Sequence, residues 1–376
     1  MPDSSPLQVL IPVPEEGPRI AGLPAGVRTA QLALALAPGR IIFSSPLPFF
    51  ARWRRHLREL GEKASSLAPE AVKEALDGSA PLLVLSSEGV PETKALKAFV
   101  ERAEKEKQPT EWVHGTQGVA CYYPNGKEWD GTERITTGKG FLRVMAQGEE
   151  WLSTKDPTSI RRTEERLFAA LPQDTDGFIA RMDRKLSMAV SRVLVKTPIT
   201  PNQITTFSLI LGLWGSWMVA QGPYSMEVLG AFLLWSCCIF DGCDGEVARL
   251  KYLCSPSGGL YDVIADNIVH VAIFIAIPVN VARYHPETSF VLPGALLVTG
   301  LLACMFSVWW LVLRLPKEER GAAGLLVERL ASRDFLYLIL LLAVIRRLDW
   351  FLMAAGIGSH LFNLGLWIFV RKGVRP

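Results

Sequence analysis

Four carboxylates stand close together in a stretch otherwise dominated by apolar residues: Asp241, Asp244, Asp262 and Asp266. Asp241 and Asp244 are three residues apart. On a helix that step turns the chain by about 300° and leaves both side chains about 60° apart on one face. Asp262 and Asp266 are four residues apart, which leaves them about 40° apart, again on one face. Acids gathered at the edge of apolar segments are costly unless something balances them. A carboxylate at a bilayer centre costs about 2.5–3.5 kcal/mol, less near the interface, and mutual repulsion adds to that. Only Arg249 and Lys251 lie nearby in sequence. An all-oxygen donor set suits Mg²⁺ or Mn²⁺, and Mg²⁺ keeps open positions that phosphate oxygens fill. The spacing therefore predicts paired acids on two successive helices that hold divalent cations. The alternative, a scatter of solvated acids, leaves the repeated same-face spacing unexplained. Gly245, Ala248, Gly258 and Gly259 lie among the acids, and their small side chains leave room for a ring or a phosphate to approach the backbone.

The acids need apolar helices to carry them. From Gln203 to Phe240 the only charged residue is Glu227, and from Tyr252 to Ala282 the only charged residues before Ala282 are Asp262 and Asp266. Such stretches exceed the ~20 residues that a helix needs to cross a hydrocarbon layer. Six crossings are expected, at about Ile204–Ala220, Met226–Ala248, Gly259–Ala282, Val291–Leu315, Phe335–Ile345 and Trp350–Val370. The loop Arg314–Arg333 and the tail with Arg371, Lys372 and Arg375 are basic, whereas Gln221–Ser225 and Arg283–Phe290 hold one basic residue, Arg283. The positive-inside rule then places both termini and the acids on the cytoplasmic side of an inner-membrane type of bilayer. Arg346 and Arg347 fall on the opposite side, where snorkelling eases their placement. Ahead of the first crossing, Gly177–Lys196 reads as an amphipathic helix lying in the headgroup region, with Phe178, Met182, Leu186, Ala189 and Val193 as its apolar stripe. Thr197–Asn202, with its two prolines, breaks that helix.

Across its 376 residues the chain is 49% hydrophobic and 20% charged, with 40 Lys+Arg against 37 Asp+Glu and a net charge of +3. The mean hydropathy of +0.22 excludes disorder. Near-balanced charge argues against a nucleic-acid partner. The cysteines form neither CxxC pairs nor a zinc spacing with His, which argues against a disulfide scaffold or zinc site. No signal peptide is visible in Met1–Ile20. The first half alternates elements in the manner of an α/β layer domain. Strands are expected at Gln31–Leu36, Arg40–Ser44, Leu82–Ser87, Trp112–His114, Val119–Tyr123 and Phe141–Ala146. Helices are expected near Phe49–Gly61, at Glu92–Lys105, and at Pro157–Leu171 with Asp156 as cap. The division is residues 1–172 as a soluble α/β domain, 173–202 as interfacial helix and linker, and 203–376 as an all-α membrane domain.

The run Asp241–Asp266 reads D-G-C-D-G-E-V-A-R, eight residues, G, three residues, D, three residues, D. This resembles the signature of the CDP-alcohol phosphotransferases, the class-I CDP-alcohol phosphatidyltransferase family, at Asp241, Gly242, Asp244, Gly245, Ala248, Arg249, Gly258, Asp262 and Asp266. The resemblance extends from about Asp176 through the tail, including the turn Thr200–Asn202. It implies transfer of a substituted phosphate from a CDP-alcohol to an acceptor hydroxyl with release of CMP. Two divalent cations, Mg²⁺ or Mn²⁺, would be held by Asp241, Asp244, Asp262 and Asp266, with Asp266 also the general base. Gly245, Ala248, Arg249, Gly258 and Asn202 would bind the CMP end. Arg333, Arg192 and Lys196 are the candidates for an acceptor phosphate, since an Arg fork suits one. For each of these three the competing reading is topology or lipid headgroup contact. His270 extends the Asp262–Asp266 face by one turn, either as a partner of those acids or as a packed core histidine. The family also implies a homodimer.

The front domain resembles the nucleotidyltransferase that precedes this membrane domain in bifunctional di-myo-inositol phosphate phosphate synthases. It departs from that pattern. Ala37-Pro38-Gly39-Arg40 stands where a Gly-rich phosphate loop belongs, and Leu82–Leu85 runs into Ser86-Ser87-Glu88-Gly89 where a metal-binding Asp belongs. A degenerate, noncatalytic domain is expected. The donor is then CDP-diacylglycerol, with phospholipid biosynthesis as the process, or else a soluble CDP-inositol as in the bifunctional synthases. A cation transporter is the alternative of another class, but it calls for acids near the midplane and broken helices. A nonenzymatic scaffold would tolerate Asp266→Asn. The isolated front domain, incubated with CTP and polyol phosphates, should release no pyrophosphate; robust release would overturn its reading as degenerate.

Overall fold

The computed structural model describes residues 6–14, 17–45, 49–132, 135, 141–146, 150–171, 178–284, 289–310 and 335–371. The chain divides into two compact bodies. One comprises Met1–Gln173 with the short segments Arg192–Pro198 and Ala248–Leu253; the other comprises Asp174–Ser191, Ile199–Val247 and Cys254–Pro376.

The first body is built on a mixed seven-stranded sheet. Its elements in chain order begin with β1 (Gln8–Pro12), the short antiparallel pair β2 (Arg19–Ile20) and β3 (Leu23–Pro24), α1 (Ala25–Ala33), a 3₁₀ turn Leu34–Leu36, β4 (Arg40–Ser44), α2 (Phe49–Trp53) and a 3₁₀ stretch Arg54–Lys63. They continue through β5 (Ala64–Leu67), α3 (Pro69–Ala75), β6 (Leu82–Leu85), β7 (Gly89–Pro91), α4 (Thr93–Glu106), β8 (Thr110–His114), β9 (Gln117–Tyr123), β10 (Leu142–Met145), β11 (Trp151–Ser153) and α5 (Pro157–Ala169). The main sheet runs β10-β8-β9-β6-β1-β4-β5. β6, β1, β4 and β5 are parallel, and β9 is antiparallel to both β6 and β8.

Burial on both faces explains the apolar strands. Val9, Ile11, Ile41, Phe43, Leu83 and Leu85 share one core with Val27 and Ala30 of α1 and Leu96, Phe99 and Val100 of α4. Leu10, Ile42, Leu82 and Val84 join Val72 of α3 in the other. Asp156 caps α5, accepting from Ser159 N at 2.9 Å. The hydrogen bonds from Ser159 and Thr158 pull its carboxyl down to about 2.

The strand expected at Gln31–Leu36 is instead the end of α1 and its 3₁₀ turn. Leu32, Leu34 and Leu36 alternate as a strand would, but the alanines between them favour a helix. The expected helix near Phe49–Gly61 is α2 followed by the 3₁₀ stretch. The parallel strand β1, near the middle of the sheet, lies in a segment where no strand was expected. The other expected strands and helices are present, with ends shifted by a few residues.

The second body is helical: α6 (Phe178–Leu194), α7 (Pro201–Gln221), α8 (Tyr224–Leu250), α9 (Pro256–Tyr284), α10 (Val291–Val308), α11 (Phe335–Val344) and α12 (Leu348–Arg371). Five of these, α7 to α10 and α12, are long and apolar enough to cross a membrane. The remaining expected crossing, Phe335–Ile345, corresponds to the ten-residue α11. Its described length is below the ~20 residues a span requires; residues 311–334 ahead of it are not among those described, and Arg346 just beyond it takes a left-handed φ of 55°. The expected Arg314–Arg333 loop lies outside the described residues. Arg346 and Arg347 have local partners: Arg346 lies over the Tyr224 ring, and Arg347 over Trp350 and 3.2 Å from Asp349.

Small residues bring α7, α8 and α9 together. A Cβ on Gly215 would stand 2.7 Å from Gly230 O, and one on Gly212 2.6 Å from Val269 Cγ2. Their outward faces carry exposed Phe207, Trp214, Trp217 and Ile275.

Trp112 is buried and stacks on Phe99 with ring centroids 5.3 Å apart. Trp112→Ala should cost about 3–5 kcal/mol of front-domain stability, read as a lower denaturant midpoint of the full chain when cleavage within residues 1–173 reports unfolding.

Candidate metal centre

Three helix ends form the site. Thr200 opens α7 with a capping box, its backbone N–H donating to Gln203 Oε1 at 2.9 Å, and Pro201 occupies the first turn. Ser255 opens α9 in a similar way: its Oγ accepts from Gly258 N at 3.0 Å, and Pro256 is the first helical residue. Two helix N-termini, with their N–H groups and positive dipole ends, thus belong to the elements that flank the last turns of α8.

Asp241 and Asp244 sit on α8 and Asp262 on α9. Each offers an oxygen within 4.8 Å of the oxygens of the other two, although Asp241 and Asp244 are only 8% and 6% exposed. Two oxygens on opposite sides of a Mg²⁺ ion stand about 4.2 Å apart, so this spread suits a shared ion. Asp262 Oδ1 is buried and has no hydrogen-bond partner. An orphaned anionic oxygen of this kind is costly without a cation, and the donor set is wholly oxygen, as hard dications require. Asp266 lies one turn along α9 from Asp262. It stands outside the 4.8 Å group but close enough for its charge to act on Asp244 and Asp262.

The remaining sequence candidates fall into several places. Asn202 and Gly258 meet: a Cβ on Gly258 would lie 3.3 Å from Asn202 Oδ1. Gly245 is half-buried next to Asp244, and Ala248 and Arg249 form the last turn of α8, where Leu253 N donates to Ala248 O at 2.8 Å. Arg192 and Lys196 belong to the first body. Arg192 lies 5.1 Å over the Phe168 ring and Lys196 pairs with Glu164 at 3.1 Å. With Arg19 and Arg161 they line a cavity of about 540 Å³. Arg333 lies outside the described residues. His270 packs against the rings of Phe335 and Phe274, which is the core-histidine alternative.

Two contacts were not foreseen. The Thr205 hydroxyl, buried on α7, donates to Asp244 Oδ2. Ser187 on α6 donates to Glu246 Oε1 at 2.7 Å and packs on Gly242, where a Cβ would stand 3.3 Å from its own Cβ. Glu246 was legible as a fifth acid in the run; a threonine one turn into an apolar helix carries no such signal. The bond from Thr205 fixes one oxygen of Asp244 and leaves the other for an ion. Outer partners of this kind are worth about 10–100-fold in metal affinity. Thr205→Val should weaken Mn²⁺ binding by that order in a titration followed by electron paramagnetic resonance, and Thr205→Ser should restore it.

The chain is similar to curated relatives that share the name bifunctional IPC transferase and DIPP synthase. The one from Archaeoglobus fulgidus is 33% identical over 150 residues, covering 39% of this chain and 29% of the relative. That from Rubrobacter xylanophilus is 28% identical over 142 residues, 37% of this chain and 32% of the relative. That from Aquifex aeolicus is 33% identical over 135 residues, 35% and 30% respectively. The match thus spans about three tenths of the length of these relatives. Residues 198–362, which include Asp241, Asp244, Asp262 and Asp266, match the model of the CDP-alcohol phosphatidyltransferase family.

Proposed function

We propose that the helical domain transfers a substituted phosphate from a CDP-alcohol to an acceptor hydroxyl and releases CMP. The observation that carries this reading is the convergence of Asp241, Asp244 and Asp262 oxygens from two helices, with Asp262 Oδ1 left without a hydrogen-bond partner. Asp241, Asp244, Asp262 and Asp266 would hold two divalent cations, Mg²⁺ or Mn²⁺. Bound there, the ions would neutralise charge on the attacking and leaving oxygens. The acceptor oxygen attacks the phosphorus distal to cytidine, the bond from that phosphorus to the CMP oxygen breaks, and Asp266 takes the hydroxyl proton on its carboxylate. Gly245, Ala248 and Gly258 leave the backbone open to the CMP end, with Arg249 and Asn202 as its polar contacts. The opening N–H groups of α7 and α9 favour the phosphates. Arg333, Arg192 and Lys196 are the acceptor-phosphate candidates, the last two at the expense of the contacts they now make.

In this reading a sixth crossing completes the domain and α6 lies along the bilayer surface. Exposed Met182, Leu186 and Val193 on one stripe of α6 support the latter. The acids and both termini face the cytoplasm, and the protein works as a homodimer, with residues 1–172 as a noncatalytic companion domain. CDP-diacylglycerol is the leading donor and phospholipid synthesis the leading process. A soluble CDP-inositol is the second reading, favoured by the shared name of the relatives.

Purified full-length protein, given either labelled CDP donor with candidate polyol and polyol-phosphate acceptors, should form CMP only with Mg²⁺ or Mn²⁺. Asp266→Asn should lose a factor of about 10²–10⁴. CMP formation that survives chelation and Asp266→Asn would refute the mechanism, and cation flux across vesicles without CMP would favour a transporter. The donor consumed separates the two substrate readings.

A further inference from the structure

The companion domain has no assigned task, and its own body includes two short pieces of the phosphotransferase sequence. Arg192–Pro198 leads into α7, and Ala248–Leu253 joins α8 to α9. The second piece starts with Ala248 and Arg249, so the signature is divided: its acids stand in the helical body and its Ala-Arg end in the other.

Specific groups hold these connectors. His56 Nδ1 lies 2.7 Å from Lys251 O; since a carbonyl only accepts, Nδ1 carries the proton. Burial lowers the pKa of His56, which keeps the ring neutral. Its own carbonyl is held by Gln31 Nε2 at 2.7 Å. Buried Arg28 donates to Ile20 O and Ala21 O at 2.9 and 3.1 Å, and its guanidinium lies 5.7 Å over the Tyr252 ring. Tyr252 has a left-handed φ of 54°, a conformation that costs a bulky residue energy and that neighbours must sustain. Lys251 then ties the connectors to each other, donating to Thr197 O at 2.6 Å. The first connector is held separately. A Cβ on Gly22, whose φ is +77°, would fall 2.1 Å from Val195 O, so only glycine permits that approach. Glu164 accepts from Ala21 N at 2.9 Å while it pairs with Lys196.

We propose that the companion domain is a clamp on the two connectors, with His56 and Arg28 as positioning residues for the Ala248–Arg249 end of the site. This rests on the reading of that end as the CMP subsite. The clamp acts through backbone placement. His56 fixes the carbonyl two residues beyond Arg249, and Arg28 the ring after it, so the segment that begins with Ala248 and Arg249 is held within its own body. No catalytic group is needed in the companion domain for this task.

The test uses the full chain and the variants His56→Ala, His56→Asn and Lys251→Met. Asn places an amide N–H where the imidazole Nδ1–H stands. One hydrogen bond of ordinary strength corresponds to about fivefold. Hydrogen exchange at the Tyr252 and Leu253 amides should speed up by about that factor or more in His56→Ala and return to wild-type rates in His56→Asn. Lys251→Met should speed exchange at Lys196 and Thr197. KM for the CDP donor should rise at least about fivefold in His56→Ala, with kcat changed less. Unchanged exchange in His56→Ala, or faster exchange with an unchanged donor KM, overturns the proposal, and so does failure of Asn to restore either quantity. Exchange needs no substrate. A chain that releases no CMP from any donor, yet loses protection in His56→Ala, refutes the phosphotransferase reading and leaves the clamp standing.

Discussion

Like charges brought together at the ends of two apolar helices govern the helical body. Asp241 and Asp244, both buried, and half-buried Asp262 approach within 4.8 Å, an arrangement that repels itself and forfeits hydration. Chain geometry holds it. Capped starts at Thr200 and Ser255 set where α7 and α9 begin, and α8 runs unbroken through Asp241 and Asp244. The helices approach closely because Gly212, Gly215 and Gly230 leave no side chain in the way. A cluster of mutually repelling carboxylate oxygens is suited to a multivalent cation, and a dication near helix N-termini is suited to phosphate.

That repulsion explains the neighbouring contacts. Thr205 supplies a donor to Asp244 from the facing helix, and Ser187 supplies one to Glu246 from α6. Both come from hydroxyls, which hold a carboxylate oxygen without neutralising it. A lysine or arginine there would satisfy the acids permanently and compete with an ion. The cations nearest in sequence are directed elsewhere: Lys251 donates to the Thr197 carbonyl, and Arg249 ends α8 on an exposed position. The same economy is visible at Arg346 and Arg347, which meet the rings of Tyr224 and Trp350.

The acids were legible in the sequence because their information is local. Spacings of three and four define a helix face, and unbroken apolar runs define the helices that carry them. Asp156 as a cap and Leu82–Leu85 as a buried strand were legible for the same reason. Failures came where local pattern and tertiary context disagree. Gln31–Leu36 alternates like a strand but is alanine-rich, and β1 lies in a segment whose prolines disguise a parallel core strand. Thr205 and His56 were invisible because their partners lie 39 and 195 residues away in the chain.

The most direct test of the centre is anomalous diffraction from crystals of the full chain grown with Mn²⁺ and a CDP-alcohol. The account predicts Mn²⁺ peaks between the carboxylates of Asp241, Asp244, Asp262 and Asp266, with the pyrophosphate oxygens completing their coordination. Peaks confined to other sites, or these four carboxylates neutralised by lysine or arginine with no anomalous signal beside them, would contradict it.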